Sequence, residues 1–158
     1  MHPKPPDRTK ITFHPLDSED PLLPEWLSLY QSAFPPDQRV PVAGLLSLLA
    51  ARETSTVSNL AVLDESGKLV GLVIFERHES QQALFLWYLA VIPSRRDQGL
   101  GARIYRQIIA EYAAGCTALV FDVEIPELAG DGAEQALRAR RIGFYRRLGA
   151  KLLTGRLF

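Results

Sequence analysis

Two arginines and two glycines crowd into one short stretch, Arg95-Arg96-Asp97-Gln98-Gly99-Leu100-Gly101. An apolar run precedes it over residues 84–92, and an amphipathic run follows it with Ile104, Ile108 and Ile109 on one face. Strand, turn and helix in that order gather several backbone N–H groups and two guanidinium groups around one small volume. Glycines without a Cβ let a ligand approach the backbone, and the helix dipole favours negative charge at the helix start. The chemistry this predicts is the binding of a phosphate. A solvated basic turn with a glycine helix start is the plainer alternative.

Two familiar phosphate loops do not fit the spacing. A nucleotide P-loop needs Lys-Ser/Thr after its last glycine, and here Ala102-Arg103 follows. A dinucleotide fingerprint needs a third glycine three residues after Gly101, and that position is Ile104. What remains is R-x-x-G-x-G, which becomes informative only with a second motif.

Other reactive side chains are sparse. Cys116 is the one cysteine, so no internal disulfide forms, and a reduced, cytoplasmic setting is expected. It lies in AAGCTA with no histidine near in sequence, which favours a structural role over a nucleophile. His14, before Pro15 at the end of a short strand, reads as an edge histidine rather than a ligand. No metal site is expected. Lys+Arg and Asp+Glu both number 18, which leaves no broad footprint for nucleic acid or an anionic membrane. Arg138, Arg140, Arg141, Arg146 and Arg147 ride one amphipathic helix rather than forming such a footprint.

The elements that must position these groups follow from periodicity. With 158 residues and 47% hydrophobic content, the chain can bury a core as a single domain. Residues 1–9 are Pro-rich, lack an apolar signal-peptide core, and are expected to be a flexible arm. Residues 10–16 alternate as a strand, and residues 21–34 and 42–52 carry apolar residues at helical spacing around a rigid PPDQRVP connection. Residues 54–63, 68–76 and 83–92 predict a three-strand antiparallel meander, with Gly71 marking a bulge or a close backbone approach. A helix over 98–113 then crosses to a parallel strand over 117–125, followed by a helix over 133–148 and a last strand over 150–158. The predicted fold class is α/β of the α+β kind: a mixed, mostly antiparallel sheet flanked by helices.

The second motif is GFYRRLGAKL, residues 143–152. With LAVIPSRRDQGLGARI it resembles the GCN5-related N-acetyltransferase (GNAT) superfamily, whose acyl-CoA motif is a strand followed by R/Q-x-x-G-x-G/A and whose late helix ends in Y-x-x-x-G-F/A. The element order over residues 10–158 is similar to that family's plan, so the resemblance implies an acyl-CoA N-acyltransferase fold and one GNAT-like domain over that range. It implies that the backbone of Leu89, Ala90 and Val91 pairs with the pantetheine arm of acetyl-CoA. It implies that the N–H groups of Arg96, Asp97, Gln98, Gly99, Leu100, Gly101 and Ala102, with the Arg95 or Arg96 side chain, hold the pyrophosphate. Tyr145 matches the family tyrosine that protonates the departing thiolate. The family asparagine two turns earlier falls at Arg138, and Gly149-Ala150 replaces the commoner Gly-Phe.

The implied reaction is direct acetyl transfer from acetyl-CoA to a primary amine of a small molecule or peptide. The alternative is an acyl-CoA-binding sensor or interaction module that kept the fold and lost the chemistry. A transferase needs a group to take the ammonium proton. Glu124, at the end of the strand over 117–125, is the candidate base, with Asp122 on the same face, Glu76 at the end of its own strand as a further candidate, and a His or an ordered water as other acceptors. The family usually closes with two strands, and residues 150–158 are long enough for one. Either the last strand is absent, or a second copy supplies it and the protein is a homodimer.

Overall fold

The structure, a computed structural model, describes residues 2 and 5–153. Its residues form two compact units, one up to Val120 and one from Phe121 on.

In the first unit the sheet follows the chain, with strands β1 (Thr12–Pro15), β2 (Val57–Leu63), β3 (Leu69–His78), β4 (Ala83–Val91) and β5 (Ala118–Val120) in that spatial order. Neighbours are antiparallel until β4 and β5, which are parallel. The parallel pair is joined by helix α3 (Leu100–Tyr112), as a crossover connection requires. Helices α1 (Leu23–Ala33) and α2 (Val42–Ala50) lie between β1 and β2 in sequence. The expected mixed, mostly antiparallel sheet is therefore present.

Local sequence explains the boundaries. The Asp20 carboxylate accepts from the Leu22 N–H at 2.9 Å and meets His14 Nε2 at 2.6 Å, tying the end of β1 to the entry of α1. Pro24 sits in the first turn, where its missing N–H costs no helical bond, and Pro35-Pro36 stop the helix. Between β2 and β3 the chain reverses over residues 64–68, where the Asp64 carboxylate accepts from the Ser66 and Lys68 amides and Gly67 takes a φ of 80°.

One face of the sheet packs on α1 and α2. Trp26, Leu29, Tyr30, Leu45 and Leu49 bury against Ala61, Leu72, Ile74 and Ala90. The polar ends of the aromatics find partners, as buried ones must. Trp26 Nε1 donates to the Leu60 carbonyl at 3.0 Å, and the Tyr30 hydroxyl donates to the Val40 carbonyl at 2.8 Å. The Val40 N–H in turn donates to the Tyr88 hydroxyl at 2.9 Å, so the link between α1 and α2 is pinned to β4. Burial, and then the neighbouring Tyr88, push the Tyr30 hydroxyl above its ordinary range, so it stays protonated. Helix α3 buries Leu100, Ile104, Tyr105 and Ile108. Tyr112 packs on Phe75 and Phe13 at ring separations of 5.0 and 5.9 Å.

In the second unit helix α4 (Gly132–Arg147) is capped by Asp131, whose side chain accepts from the Glu134 N–H at 2.7 Å. It ends at Gly149, φ 94°, with the Ala150 N–H donating to the Tyr145 carbonyl.

Three expectations need correction. The strand predicted over 117–125 is confined to Ala118–Val120, because only Ala83–Phe85 of β4 pair with it. The strand predicted over 150–158 does not appear at residues 150–153, and the remainder lies outside the described residues. The N-terminal arm is not loose throughout, because Asp7 is buried and hydrogen-bonded. Among the described residues no helix is long and apolar enough to cross a membrane.

Candidate functional site

The site begins with a defect in β4. Its register against β3 runs evenly from Ala83 to Leu86, then slips by one residue, so that Phe75 faces Leu86 and Ile74 faces Tyr88. Trp87 is the extra residue. A bulge of this kind bends a strand and sharpens its twist. On the near side of it, Ala83, Leu84 and Phe85 have β5 as a second neighbour. Beyond it, Tyr88 to Val91 pair with β3 alone among the described residues.

The open edge offers backbone groups, and alternation decides which. The Ile92 N–H donates to the Val70 carbonyl at 3.0 Å, so position 92 points toward β3. In an antiparallel ladder the next inward-pointing residue is Ala90, and the N–H and C=O of Leu89 and Val91 point the opposite way. This narrows the predicted trio: Leu89 and Val91 present polar groups to the open edge, while Ala90 pairs with Leu72. Gly71 makes the packing behind them feasible. A Cβ there would stand 2.7 Å from the Ala90 carbonyl oxygen, which is the close backbone approach its position in the strand predicted.

The chain then enters a short 3-10 turn, Pro93–Arg95, and swings through Asp97 at φ 62° and Gly99 at φ 80° into α3. Gly99 is the N-cap of α3, a conformation that glycine adopts freely. No N–H from Asp97 to Ala102 donates a hydrogen bond to any described residue. Those of Leu100, Gly101 and Ala102 are the first-turn donors that every helix leaves unsatisfied. The result is a run of backbone donors at a helix N-terminus, whose dipole adds positive potential.

The two arginines of the motif separate. Arg95 turns away from this run. Its Nε and Nη2 donate to the Asp7 carboxylate at 2.7 and 2.5 Å, and its Nη1 lies 3.6 Å from Asp64. Of the two arginines offered for the pyrophosphate, Arg95 is thus the one held by a buried carboxylate. Arg96 is exposed, and its Nε donates to the Val91 carbonyl at 2.9 Å. That contact closes the turn back onto β4 and meets no carboxylate among the described residues.

Sequence reasoning missed Asp7, Thr9 and Arg103. Asp7 stands 88 positions before Arg95, inside a Pro-rich stretch, and carries no local signal. Burial raises the Asp7 pKa, but the Thr9 amide and the Arg95 and Thr9 side chains outweigh it and leave the carboxyl below its ordinary value.

Glu124, Arg138 and Tyr145 belong to the second unit. Glu124 forms ion pairs with Arg138 at 2.8 Å and with Arg141 at 3.6 Å, and Arg138 also donates to the Ile125 carbonyl. Arg138, the position of the family asparagine, thus braces the loop that carries Glu124. The Tyr145 ring packs on Phe121 at 4.2 Å and on Phe144 at 5.0 Å. In the first unit, Glu76 accepts from Thr56 and meets His78 at 3.1 Å, so it serves the β2–β3 ladder. Cys116 accepts from Arg77 at 3.4 Å, beside the carbonyl of Tyr112 that Arg77 also caps. Among the described residues no group of His, Cys, Asp and Glu side chains could hold a metal.

Comparison with known proteins bears on this geometry. A family model described as an acetyltransferase (GNAT) domain matches residues 56–149, more than half of the chain. A search of curated proteins returned no match. Solved structures do match. One is AAC(6')-Iy in complex with the bisubstrate analogue CoA-S-monomethyl-acetylneamine, at 14% identity and a TM-score of 0.66, covering 95% of this chain and 97% of that one. Another is a spermidine N-acetyltransferase SpeG chimera from Vibrio cholerae and hSSAT, at 15% identity and a TM-score of 0.65, covering 87% and 78%. A third is an acetyltransferase from Trypanosoma brucei, at 16% identity and a TM-score of 0.63, covering 94% and 98%. At these identities the structures share the fold.

Proposed function

Because the chain belongs to the GNAT acetyltransferase family, we propose that it is an N-acetyltransferase moving an acetyl group from acetyl-CoA to a primary amine of a small molecule or peptide by direct attack. The observation that carries this reading is the sequence of open β4 edge, tight turn and unpartnered amides. An extended pantetheine arm carries amide groups of its own and adds to such an edge as a peptide strand does. The backbone of Leu89 and Val91 takes those hydrogen bonds. The N–H groups of residues 97–102 and the Arg96 side chain take the pyrophosphate, the Arg96 N–H being donated to the Pro93 carbonyl.

Direct transfer asks for an oriented thioester, a proton acceptor for the ammonium and a donor for the leaving thiolate. Tyr145 is the proposed donor, since a thiolate needs only a weak acid. Glu124 is the proposed acceptor, directly or through an ordered water, with Asp122 as the neighbouring carboxylate. Arg138 and Arg141 hold Glu124 as an ion-paired carboxylate, and a proton accepted there would have to displace them. That pairing is the one observation favouring the second reading, a module that binds acyl-CoA without turnover. Spermidine and a neamine-type amine, after the names of the similar structures, are the first acceptors to try.

Thiol release from acetyl-CoA in the presence of an amine panel tests the function. CoA release that depends on an added amine supports transfer, and acetyl-CoA binding with no release on any amine supports the binding module. Within an active enzyme, Tyr145→Phe is expected to lower kcat by about 100-fold with acetyl-CoA affinity retained. A normal kcat would remove Tyr145 from the mechanism, and an unchanged pH–rate profile in Glu124→Gln would remove Glu124.

A further inference from the structure

We propose that Asp7 to Thr9 form a strap that shapes the phosphate-gripping turn, with Asp7 as its positioning residue; this rests on the acetyl-CoA reading above. The segment touches the turn on both sides and in its middle. Before the turn, Arg95 donates twice to the Asp7 carboxylate and once to Thr9 Oγ1 at 3.0 Å. After it, in the first helical turn of α3, Arg103 donates to the Asp7 carbonyl at 2.8 Å and to the Thr9 carbonyl. Between them, the Asp7 N–H donates to the Gln98 carbonyl at 2.9 Å.

That last bond has a directional consequence. A trans peptide is planar, and its C=O and N–H point in opposite directions. Fixing the Gln98 oxygen toward Asp7 therefore aims the Gly99 N–H away from the strap. The left-handed turn at Asp97 and Gly99 lies between the two arginine anchors. Three short segments that have no regular ladder between them are thus held by one residue's backbone and side chain together.

Burial separates this from an incidental surface contact. The Asp7 side chain is 3% exposed, whereas Pro5, Pro6 and Arg8 around it are exposed. Two arginines converge on it, and removing one member of such a buried set leaves an unpaired charge. The strap also sets the electrostatics. Asp7 and Asp64 occupy Arg95, so the turn binds anions through backbone dipoles and Arg96 rather than through two loose cations. Asp7 contacts no donor atom itself in this account; it acts through the orientation of the amides.

Calorimetric titration of CoA into the full-length protein, with initial-rate kinetics on acetyl-CoA, tests the strap. The wild type is run first. If it binds no CoA, the functional reading fails on its own terms, independently of the strap. If it binds, Asp7→Ala is expected to weaken CoA by about tenfold or more, the size of one lost charge-assisted hydrogen bond. The loss should fall on the KM for acetyl-CoA rather than on kcat or on the KM for the amine. S-acetylpantetheine, which lacks the pyrophosphate, should be used equally well by both proteins. Asp7→Asn keeps the shape and an acceptor oxygen, so it should lie between the two and folds even where alanine does not. Unchanged CoA affinity in Asp7→Asn and Asp7→Ala overturns the proposal. So does tighter binding, which would mean that Asp7 competes with the phosphate for Arg95.

Discussion

The two ends of β4 are built from the same kind of sequence and do different work. At the first end, Ala83, Leu84 and Phe85 have strand neighbours on both sides, and Leu84 is fully buried. At the second, Leu89 and Val91 have a strand neighbour on one side only among the described residues. Both ends are apolar. The bulge at Trp87 separates them. A strand whose edge is satisfied contributes stability, while one whose edge is left open becomes a template for another extended chain. The proposed function uses the end whose partner is withheld.

The largest effect that would sharpen this contrast is at the closed end. Leu84→Ala removes a side chain with no exposed surface and is expected to cost about 2–5 kcal/mol of unfolding free energy, read from urea titrations. Acetyl-CoA KM should stay near the wild-type value in the protein that remains folded, and a large rise in KM would blur the division.

Next comes Gly71→Val, behind the open end. Its Cβ would meet the Ala90 carbonyl oxygen at 2.7 Å and Ile104 at 3.2 Å, so the β3–β4 ladder must shift. A loss of about 1–3 kcal/mol is expected. Here stability and acetyl-CoA affinity should fall together, because the ladder positions Leu89 and Val91. A stable variant with normal affinity would show that the close approach is not needed.

Leu89→Pro tests the open edge directly. It deletes an N–H that points away from β3, so it should leave the ladder intact while raising the KM for acetyl-CoA, by about tenfold for one lost hydrogen bond of roughly 1.4 kcal/mol. If instead the protein unfolds with no effect on binding before it does so, the alternation argument is wrong.

The smallest expected effect is the response to acid. Asp7, Asp20 and Asp64 all have pKa values below the ordinary 3.8. For Asp7 and Asp20 burial pulls the other way and is outweighed by hydrogen bonds and by Arg95 and His14 respectively; for Asp64 the Ser66 hydroxyl is the main cause. Groups lowered in this way contribute stability that is present above the ordinary value and is lost as pH falls through the lowered one. The melting temperature should therefore hold near neutrality and drop between about pH 5 and pH 2. In Asp7→Asn that drop should be shallower, and an identical acid profile would take Asp7 out of the balance.

The fold was largely legible because its signals are local. Alternation over residues 54–92 predicted the meander, prolines bounded α1 and α2, and glycines ended α3 and α4. Each depends on neighbours a few positions apart. The donor turn was legible for the same reason, since glycine spacing and a following helix are properties of one short segment. Where prediction failed, distance in sequence was the cause. Periodicity extended β5 to residue 125 because Leu119, Phe121 and Val123 alternate well, but a strand needs a partner, and β4 supplies one only as far as Phe85.

The paired arginines show the same division in two adjacent residues. By type and spacing Arg95 and Arg96 are interchangeable phosphate ligands. The tertiary structure sends one to Asp7 and Asp64 and leaves the other at the turn. Likewise, any of Leu89, Ala90 and Val91 could offer its backbone until the register against β3 assigns Ala90 inward. The sequence by itself determined the family and most of the sheet, because these rest on periodicity and on short motifs. Only the tertiary structure decided which amides stay unpaired among the described residues, which arginine meets a carboxylate, and that the buried Asp7 bonds to both sides of the turn. Those are matters of which remote groups meet, and a pairing between residues 7 and 95 leaves no trace in the spacing of either.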